Sequence, residues 1–339
     1  MIEIGVVKPK SSVFLAPLAG FTDAGFRRLC ALCGAGLTCT EMVSAKGMCY
    51  GNRGTDALLY TTPAESPKAV QLFGSEPEFM YRAAKDERIA KFDIADINMG
   101  CPVRKIVSNG DGSALMENPS LIEETVRAVK EGFGKSVTVK LRAGVRQGEP
   151  LVTECAVAAE RGGADCVTVH PRYREQMYAG QADHELTAAV KSALKIPVIA
   201  NGDVVDALSF WRVKRESGAD AVMVGRGALG KPWIFSLLNW ADSLEDSFVY
   251  DGSGNVREDA VRAAAVKAHE IASHFDTKRA AREHVSTLRE FLPDRTVVNA
   301  MKLHLCHYAK NTSNAKEVKL AAAASSTIED TFGIIDDLL

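Results

Sequence analysis

The sequence predicts an α/β fold, a TIM (β/α)8 barrel followed by a small all-α helical bundle. Three observations carry this. Eight short, β-branched, nearly uninterrupted apolar runs recur between residues 13 and 227. They start on average about thirty residues apart, close to one βα unit each. Amphipathic helical patterns fill most of the gaps between them. After about residue 240 the strand-like runs largely disappear and helical patterns continue alone.

The runs take their places in order. "VFLAPLAG" (13–20), "LTCTEMVS" (37–44), "KAVQLFG" (68–74) and "IADINMG" (94–100) come first. "SVTVKLRAG" (136–144), "CVTVHPR" (166–172), "PVIANGD" (197–203) and "AVMVGRG" (221–227) follow. Continuous apolarity of this kind marks strands covered on both faces, as in a parallel sheet. Between the first two runs, "DAGFRRLCALCG" sets Phe26, Leu29, Cys30 and Cys33 on one helical face. The C-x-x-C pair it contains therefore reads as helix packing ahead of a metal or redox site. "ENPSLIEETVRAVKEGFG" has Asn118 placed as N-cap and Pro119 at the first helical position, with glycines at its far end. "LVTECAVAAERGGAD" and "DALSFWRVKRESGAD" end in the same glycine turn, used twice. A doubly wound open sheet is the alternative, but its glycine-rich dinucleotide fingerprint is missing after the first strand.

The expected division is a barrel domain over residues 1–240 and a helical domain over 241–339, joined by the loop around "DGSGN". Within 257–319, 12 Lys or Arg face 8 Asp or Glu, an excess that hints at a nucleic-acid partner. The whole chain carries a net charge of -2, which argues against a strongly basic binder but leaves room for a local patch. Eight cysteines in 339 residues do not make a disulfide scaffold. No apolar run is long enough to span a membrane. "MIEIGVVKPK" lacks the plan of a signal peptide, so a cytoplasmic location is expected.

A barrel of this type places its active site where the strands end. The eight ends supply Pro17, Leu18 and Ala19; Glu41, Met42 and Ser44; Gln71; Asn98 and Cys101; Lys140 and Arg142; His170 and Arg172; Asn201, Gly202 and Asp203; and Gly225 and Arg226. The last two loops, "NGD" and "GRG", occupy the usual phosphate position of the fold. The rim holds neither a pair of carboxylates for glycoside hydrolysis nor a convincing His/Asp metal cluster, so no metal is expected. A single lysine fits a Schiff-base aldolase or the electron-rich edge of a flavin. Together with a phosphate site and a backbone-rich first loop, it fits flavin mononucleotide (FMN) better. In "DINMGCPVRK", Cys101 stands at the mouth of a strand between Gly100 and Pro102, a place for a reactive thiol.

These residues meet a family. "APLAGFTDAGFR", "QLFG", "DINMGCPVRKI", "GDGSALM", "VKLRAG", "VIANGD" and "VGRGALGKPWIF" resemble the bacterial-type, FMN-dependent tRNA-dihydrouridine synthases in order and at about their spacing. The resemblance spans about 13–240 and extends more weakly into the tail. It implies reduction of the C5=C6 bond of a uridine in tRNA, with a hydride passing from flavin N5 to C6 and a proton from Cys101 to C5. It implies FMN contacts at Pro17, Leu18, Ala19, Gln71, Lys140 and His170. Leu18 stands where methionine is common. It further implies ribityl and phosphate contacts at Asn201, Gly202, Asp203, Gly225 and Arg226. Asn98 and Arg142 match positions that hold the uracil edge, with Arg172 a weaker match. NADPH or NADH is the implied electron donor, and "VSNGDGSALM" (107–116) an implied mobile loop over the base. Where the family often carries an aromatic "WY" stretch, this chain has "REHVSTLREFLP". A dihydroorotate dehydrogenase-like enzyme acting on a free pyrimidine is the runner-up; a tRNA-binding module without catalysis comes from a different class.

Overall fold

The computed structural model describes residues 2–52, 54–310 and 312–339. Its strands are β1 (Val13–Leu15), β2 (Thr38–Ser44), β3 (Lys68–Phe73), β4 (Ile94–Met99), β5 (Ser136–Gly144), β6 (Cys166–Tyr173), β7 (Val198–Asn201) and β8 (Ala221–Val224). All neighbours are parallel, in the order β1-β8-β7-β6-β5-β4-β3-β2. The remaining seam closes through Leu15 N–H to the Leu37 carbonyl at 3.0 Å and Gly36 N–H to the Val13 carbonyl at 2.8 Å. The expected eight-stranded barrel is therefore complete.

Helices cover it outside. They are α1 (Ala24–Leu32), α2 (Ala45–Cys49), α3 (Gly54–Leu58), α4 (Pro77–Ala84), α5 (Arg104–Val107) and α6 (Pro119–Phe133). They continue with α7 (Val152–Arg161), α8 (His184–Ala193), α9 (Ala207–Ser217), α10 (Ile234–Asp242) and α11 (Asp246–Val249). In α6, the Asn118 side chain accepts from Leu121 N–H at 3.2 Å and Pro119 takes the first turn, where its missing donor has no partner to lose. Gly134 closes that helix with φ +66°, and Gly218 closes α9 with φ +59°, both left-handed. In α1, Phe26, Leu29 and Cys30 are buried, as the helical face predicts. All eight cysteines are free.

The barrel interior is layered along the strand direction. Alternation with period two turns every second residue inward. At the bottom lie apolar groups, among them Ile4, Phe14, Ile94, Cys166 and Ile199. The Ile4 carbonyl accepts from the Ser136 hydroxyl at 2.9 Å, which seats the N-terminal segment as a plug. One step up, Gln71, Asp96 and Thr138 pair in register across β3, β4 and β5. Above them Asn98, Lys140 and Thr168 pair, and then Arg142 with His170. Outward residues such as Val13, Leu15, Val222 and Val224 join the helix-facing core.

After the barrel come α12 (Glu258–His274), α13 (Thr277–Arg289), α14 (Asp294–Tyr308), α15 (Ala315–Ala324) and α16 (Ile328–Leu338). The expected boundary at 240/241 falls inside α10, whose Leu237 and Leu238 pack in the barrel's outer core together with Ala260 and Ala264 of α12. A separate helical core begins with α13: Val285, Leu288, Met301, Leu305 and Ile335 cluster there, joined by Leu29 of α1. No helix among the described residues is long and apolar enough to cross a membrane.

Candidate active site

The expected site residues all come to the carboxyl ends of the strands, but they do different things there. Cys101 follows β4 directly. Its backbone N–H donates to the Asn98 Oδ1 at 2.9 Å, and Gly100 N–H reaches the same oxygen at 3.2 Å. The Asn98 Nδ2 donates to the Gln71 Oε1 at 2.8 Å, and the Gln71 Nε2 donates to Asp96 at 2.7 Å. Asp96 also accepts from the Thr138 hydroxyl at 2.5 Å. Asn98, expected at the uracil edge, is thus first of all the group that sets the turn under the thiol. Burial pushes the Asp96 carboxyl up to about 6, against the hydrogen bonds from Thr138 and Gln71. Neither Asp96 nor Thr138 was expected at the site.

The Cys101 carbonyl is held from below. It accepts from Ser113 N–H at 3.1 Å and from the Ser113 hydroxyl at 2.9 Å. Gly112 is left-handed at φ +61°, and a Cβ there would lie 2.9 Å from the Cys101 oxygen. The stretch expected as a mobile loop over 107–116 is therefore split. Residues 112, 113, 115 and 116 are buried and built into the barrel top, because Ser113 has a fixed partner and Leu115 and Met116 join the core; Ser108, Asn109 and Gly110 stay exposed. Burial raises the Cys101 thiol pKa, with the Val103 amide and Arg142 opposing. The thiol is consequently a proton carrier at neutral pH.

Lys140 points from β5 into the barrel mouth, and its Nζ donates to the Asn201 Oδ1 at 2.8 Å. Asn201 is fixed in turn by its Nδ2, which donates to the Met223 carbonyl at 2.8 Å. Burial and then Arg142 push the Lys140 ammonium down to about 8, with Asp96 opposing, so it stays mainly cationic at pH 7. Arg142 is buried; its Nε donates to the Gly100 carbonyl at 2.8 Å and one terminal nitrogen to the Met177 carbonyl at 2.8 Å. Arg172, the weaker match to the uracil edge, is tied to the loop after β7. It is 2% exposed and grips both Asp203 oxygens at 2.7 and 2.8 Å, under the loop rather than at the mouth. Its other terminal nitrogen lies 3.2 Å from the His170 Nε2. Burial, with Lys140 and Arg142 adding to it, pushes His170 well below its ordinary range, so it is neutral and accepts from Arg172.

The two glycine loops come together as the sequence predicts. Gly202 has φ +133°, and a Cβ there would meet the Ala182 Cβ at 2.9 Å. A Cβ on Gly227 would overlap the Val204 carbonyl, so the loops after β7 and β8 touch backbone to backbone. Asp203 accepts from Ala182 N–H at 2.7 Å and holds φ +57°. Burial alone would raise its carboxyl; the Ala182 amide and Arg172 hold it below the ordinary value. Arg226 remains half exposed and lies over the Tyr178 ring at 4.7 Å, with Arg142 over the same ring at 5.7 Å. Tyr178 was missed in the sequence. Leu18 lies near Gly225, 3.7 Å from where a Cβ would stand, and Pro17 and Ala19 flank it at the rim. A half-exposed arginine beside two glycine turns, a cation at Lys140 and an apolar edge at Leu18 fit a phosphorylated planar cofactor such as FMN.

Buried neutral histidines make stability fall with acid. His170 and His184 are both pushed below the ordinary imidazole range, chiefly by burial. The unfolded chain therefore binds more protons than the folded one below about pH 6.5. Their contribution is complete above that value and is lost as pH falls, by at most about 1.4 kcal/mol per pH unit each. Thermal unfolding is expected at a lower temperature at pH 5.5 than at pH 7.5, and scanning calorimetry checks it.

The comparisons agree with this geometry. A family described as Dihydrouridine synthase (Dus) matches residues 14–332. "tRNA-dihydrouridine synthase B" of Pasteurella multocida is 36% identical over 84% of this chain and 86% of its own length. "Probable tRNA-dihydrouridine synthase" of Rickettsia conorii is 34% identical over 94% and 90%. Among solved structures, a morphinone reductase N189A mutant in complex with tetrahydroNAD superposes with a TM-score of 0.52 at 16% identity, covering 74% of this chain and 91% of that one. That last likeness is one of fold.

Proposed function

The chain belongs to the dihydrouridine synthase family, and from that premise we infer how its residues serve the flavin-dependent reduction of a uridine in tRNA. The observation that carries the reading is Cys101, its backbone held by Asn98 and Ser113, at the mouth of a barrel whose opposite rim fits FMN. When bound and reduced, FMN supplies a hydride to uracil C6. Cys101 delivers the proton to C5 as general acid. Lys140, held by Asn201, places a positive charge where the flavin ring gathers negative charge. Pro17, Leu18, Ala19, Gln71 and His170 would hold the flavin ring. Asn201, Gly202, Asp203, Gly225 and Arg226 would hold the ribityl chain and phosphate, with Arg172 keeping Asp203 in place. Arg142 reads the uracil carbonyl side, and Asn98 keeps one amide N–H for the same base.

NADPH, or NADH, would serve as the electron donor for the flavin. The target uridine sits in folded tRNA, so it is flipped out at a cost of a few kcal/mol. In this proposal the barrel, with α10 and α12 packed on it, forms the catalytic part and α13–α16 the tRNA-gripping part, acting in the cytoplasm. The test is single-turnover oxidation of the NADPH-reduced protein by unmodified tRNA, followed by flavin absorbance without oxygen. Fast reoxidation with dihydrouridine in the product is expected. Reoxidation by a free pyrimidine and not by tRNA overturns the assignment.

The Gly112 geometry makes a separate prediction. Gly112→Val puts a branched side chain against the Cys101 carbonyl at a left-handed position. The same reoxidation is expected to slow at least about tenfold, because small displacements of a reacting group carry large rate penalties. NADPH-driven flavin reduction, read in the stopped flow, should stay as in the parent.

A further inference from the structure

The structure assembles a cluster that no sequence spacing announces. Asp23, at the N-cap of α1, faces two histidines of the helical bundle. The His284 Nε2 lies 2.8 Å from Oδ1 and the His304 Nε2 lies 3.1 Å from Oδ2. His284 on α13 is 0% exposed and His304 on α14 is 1% exposed. The Asp23 Oδ1 also accepts from Phe26 N–H at 2.9 Å, in the first turn of α1. The His284 Nδ1 lies 3.0 Å from the Tyr308 hydroxyl.

Proton positions follow from these partners. A carboxylate only accepts, so each Nε2 that faces Asp23 carries a proton. The Tyr308 hydroxyl is the partner of the His284 Nδ1. The His304 Nδ1 is buried without a partner among the described residues, so a proton there would be an unpaired buried donor. Two N–H donors from the bundle and one amide from the barrel surround a single carboxylate. Asp, His and His within 4.8 Å also have the make-up of a cation site. Here each imidazole engages its own oxygen at hydrogen-bond distance, which is the pattern of two donors on one carboxylate.

The cluster reaches the catalytic mouth by a short covalent and hydrogen-bonded path. Thr22, next to Asp23, binds Leu18 twice: its hydroxyl accepts from Leu18 N–H at 2.9 Å and donates to the Leu18 carbonyl at 3.2 Å. Phe21 N–H closes the same turn on the Leu18 carbonyl at 2.9 Å. The Phe21 ring stands edge-on to His304 and His307, with centroids 6.1 and 5.5 Å away. On the other side, Gly230 lies so close to the His307 carbonyl that no Cβ would fit. One helix, α14, thus touches both the loop after β1 and the segment after β8, which follow two strands paired side by side.

We propose that Asp23, His284 and His304 are positioning residues that register the tRNA-holding bundle against the β1 loop, so that a bound tRNA presents its base to the flavin at the right height. This rests on the tRNA-reduction reading above, and wild-type reoxidation by tRNA serves as the control that separates the two. The variants are His304→Leu, which removes the donor, and His304→Gln, which restores one. His304→Leu is expected to keep flavin content, NADPH-driven reduction and reoxidation by a small quinone within about twofold of the parent. Its tRNA Kd should stay within about threefold, while single-turnover reoxidation by tRNA slows at least about tenfold. His304→Gln should recover most of that rate. Asp23→Asn, which keeps the cap to Phe26, should show the same split, and it decides the matter if His304→Leu does not fold. Equal losses in all half-reactions, or an unchanged tRNA rate in His304→Leu and Asp23→Asn, overturn the proposal. So does one equivalent of zinc in the purified parent that both variants lose.

Discussion

Replacing Cys101 by alanine is expected to leave flavin content and NADPH-driven reduction intact and to slow reoxidation by tRNA about 10²- to 10⁴-fold, the usual range for a general acid. The half-reactions separate because the thiol takes part only in the second. Its backbone is held by Asn98 and Ser113 through the N–H and carbonyl, neither of which the substitution removes. The fold should therefore be unaffected, and calorimetry can show that. pH adds an independent signature. Burial raises the thiol, so its proton is present across the neutral range and is lost only as pH rises through that raised value. In the parent, the tRNA rate should be level around neutrality and fall on the alkaline side; in Cys101→Ala that alkaline limb should be absent. A rapid tRNA reaction in Cys101→Ala would move the proton donor elsewhere.

Lys140→Met is the second large effect, and it falls on the other half-reaction. The ammonium is tied to Asn201 at 2.8 Å. Removing it takes away the charge that a reduced flavin needs and leaves the Asn201 Oδ1 short of a donor. Loss of one such preorganised donor costs about 10²–10³ in rate. Flavin reduction by NADPH should slow by that order, and the flavin potential should become more negative. Lys140→Arg should recover part of both, since the charge returns in a different shape. An unchanged potential in Lys140→Met would remove this residue from the cofactor's edge.

Much of this architecture is legible in the chain alone, for physical reasons. Strands covered on both faces are written as continuous apolar runs, and the run 94–100 matches β4 almost residue for residue. Asn118 and Pro119 announce α6 because capping is local chemistry. The glycine loops after β7 and β8 are legible because only glycine allows those approaches. What is not legible depends on register or on distance along the chain. Asp96 and Thr138 look like ordinary strand residues until pairing stacks them beside Gln71. That the Asn98 oxygen also sets the turn under Cys101 shows only in the fold. Arg172 and Arg142 look alike in sequence, yet Arg172 grips the Asp203 carboxylate while Arg142 donates to backbone carbonyls. Tyr178 sits in a loop with no periodic pattern, and its arginine neighbours come from other strands. The bundle histidines at 284 and 304 give no hint in sequence of an aspartate 261 and 281 residues earlier.

That separation also has a consequence in time. At a synthesis rate of about 5–20 residues per second, 281 residues take about 14–56 s to make. For that interval Asp23 waits on a nascent chain without its imidazole partners. The strand beside it waits almost as long, since Val13 pairs with Val222. A segment made early is thus secured late, and its open strand edge is a place where neighbouring nascent chains could join. Chaperone demand during synthesis should fall on the N-terminal third of this protein.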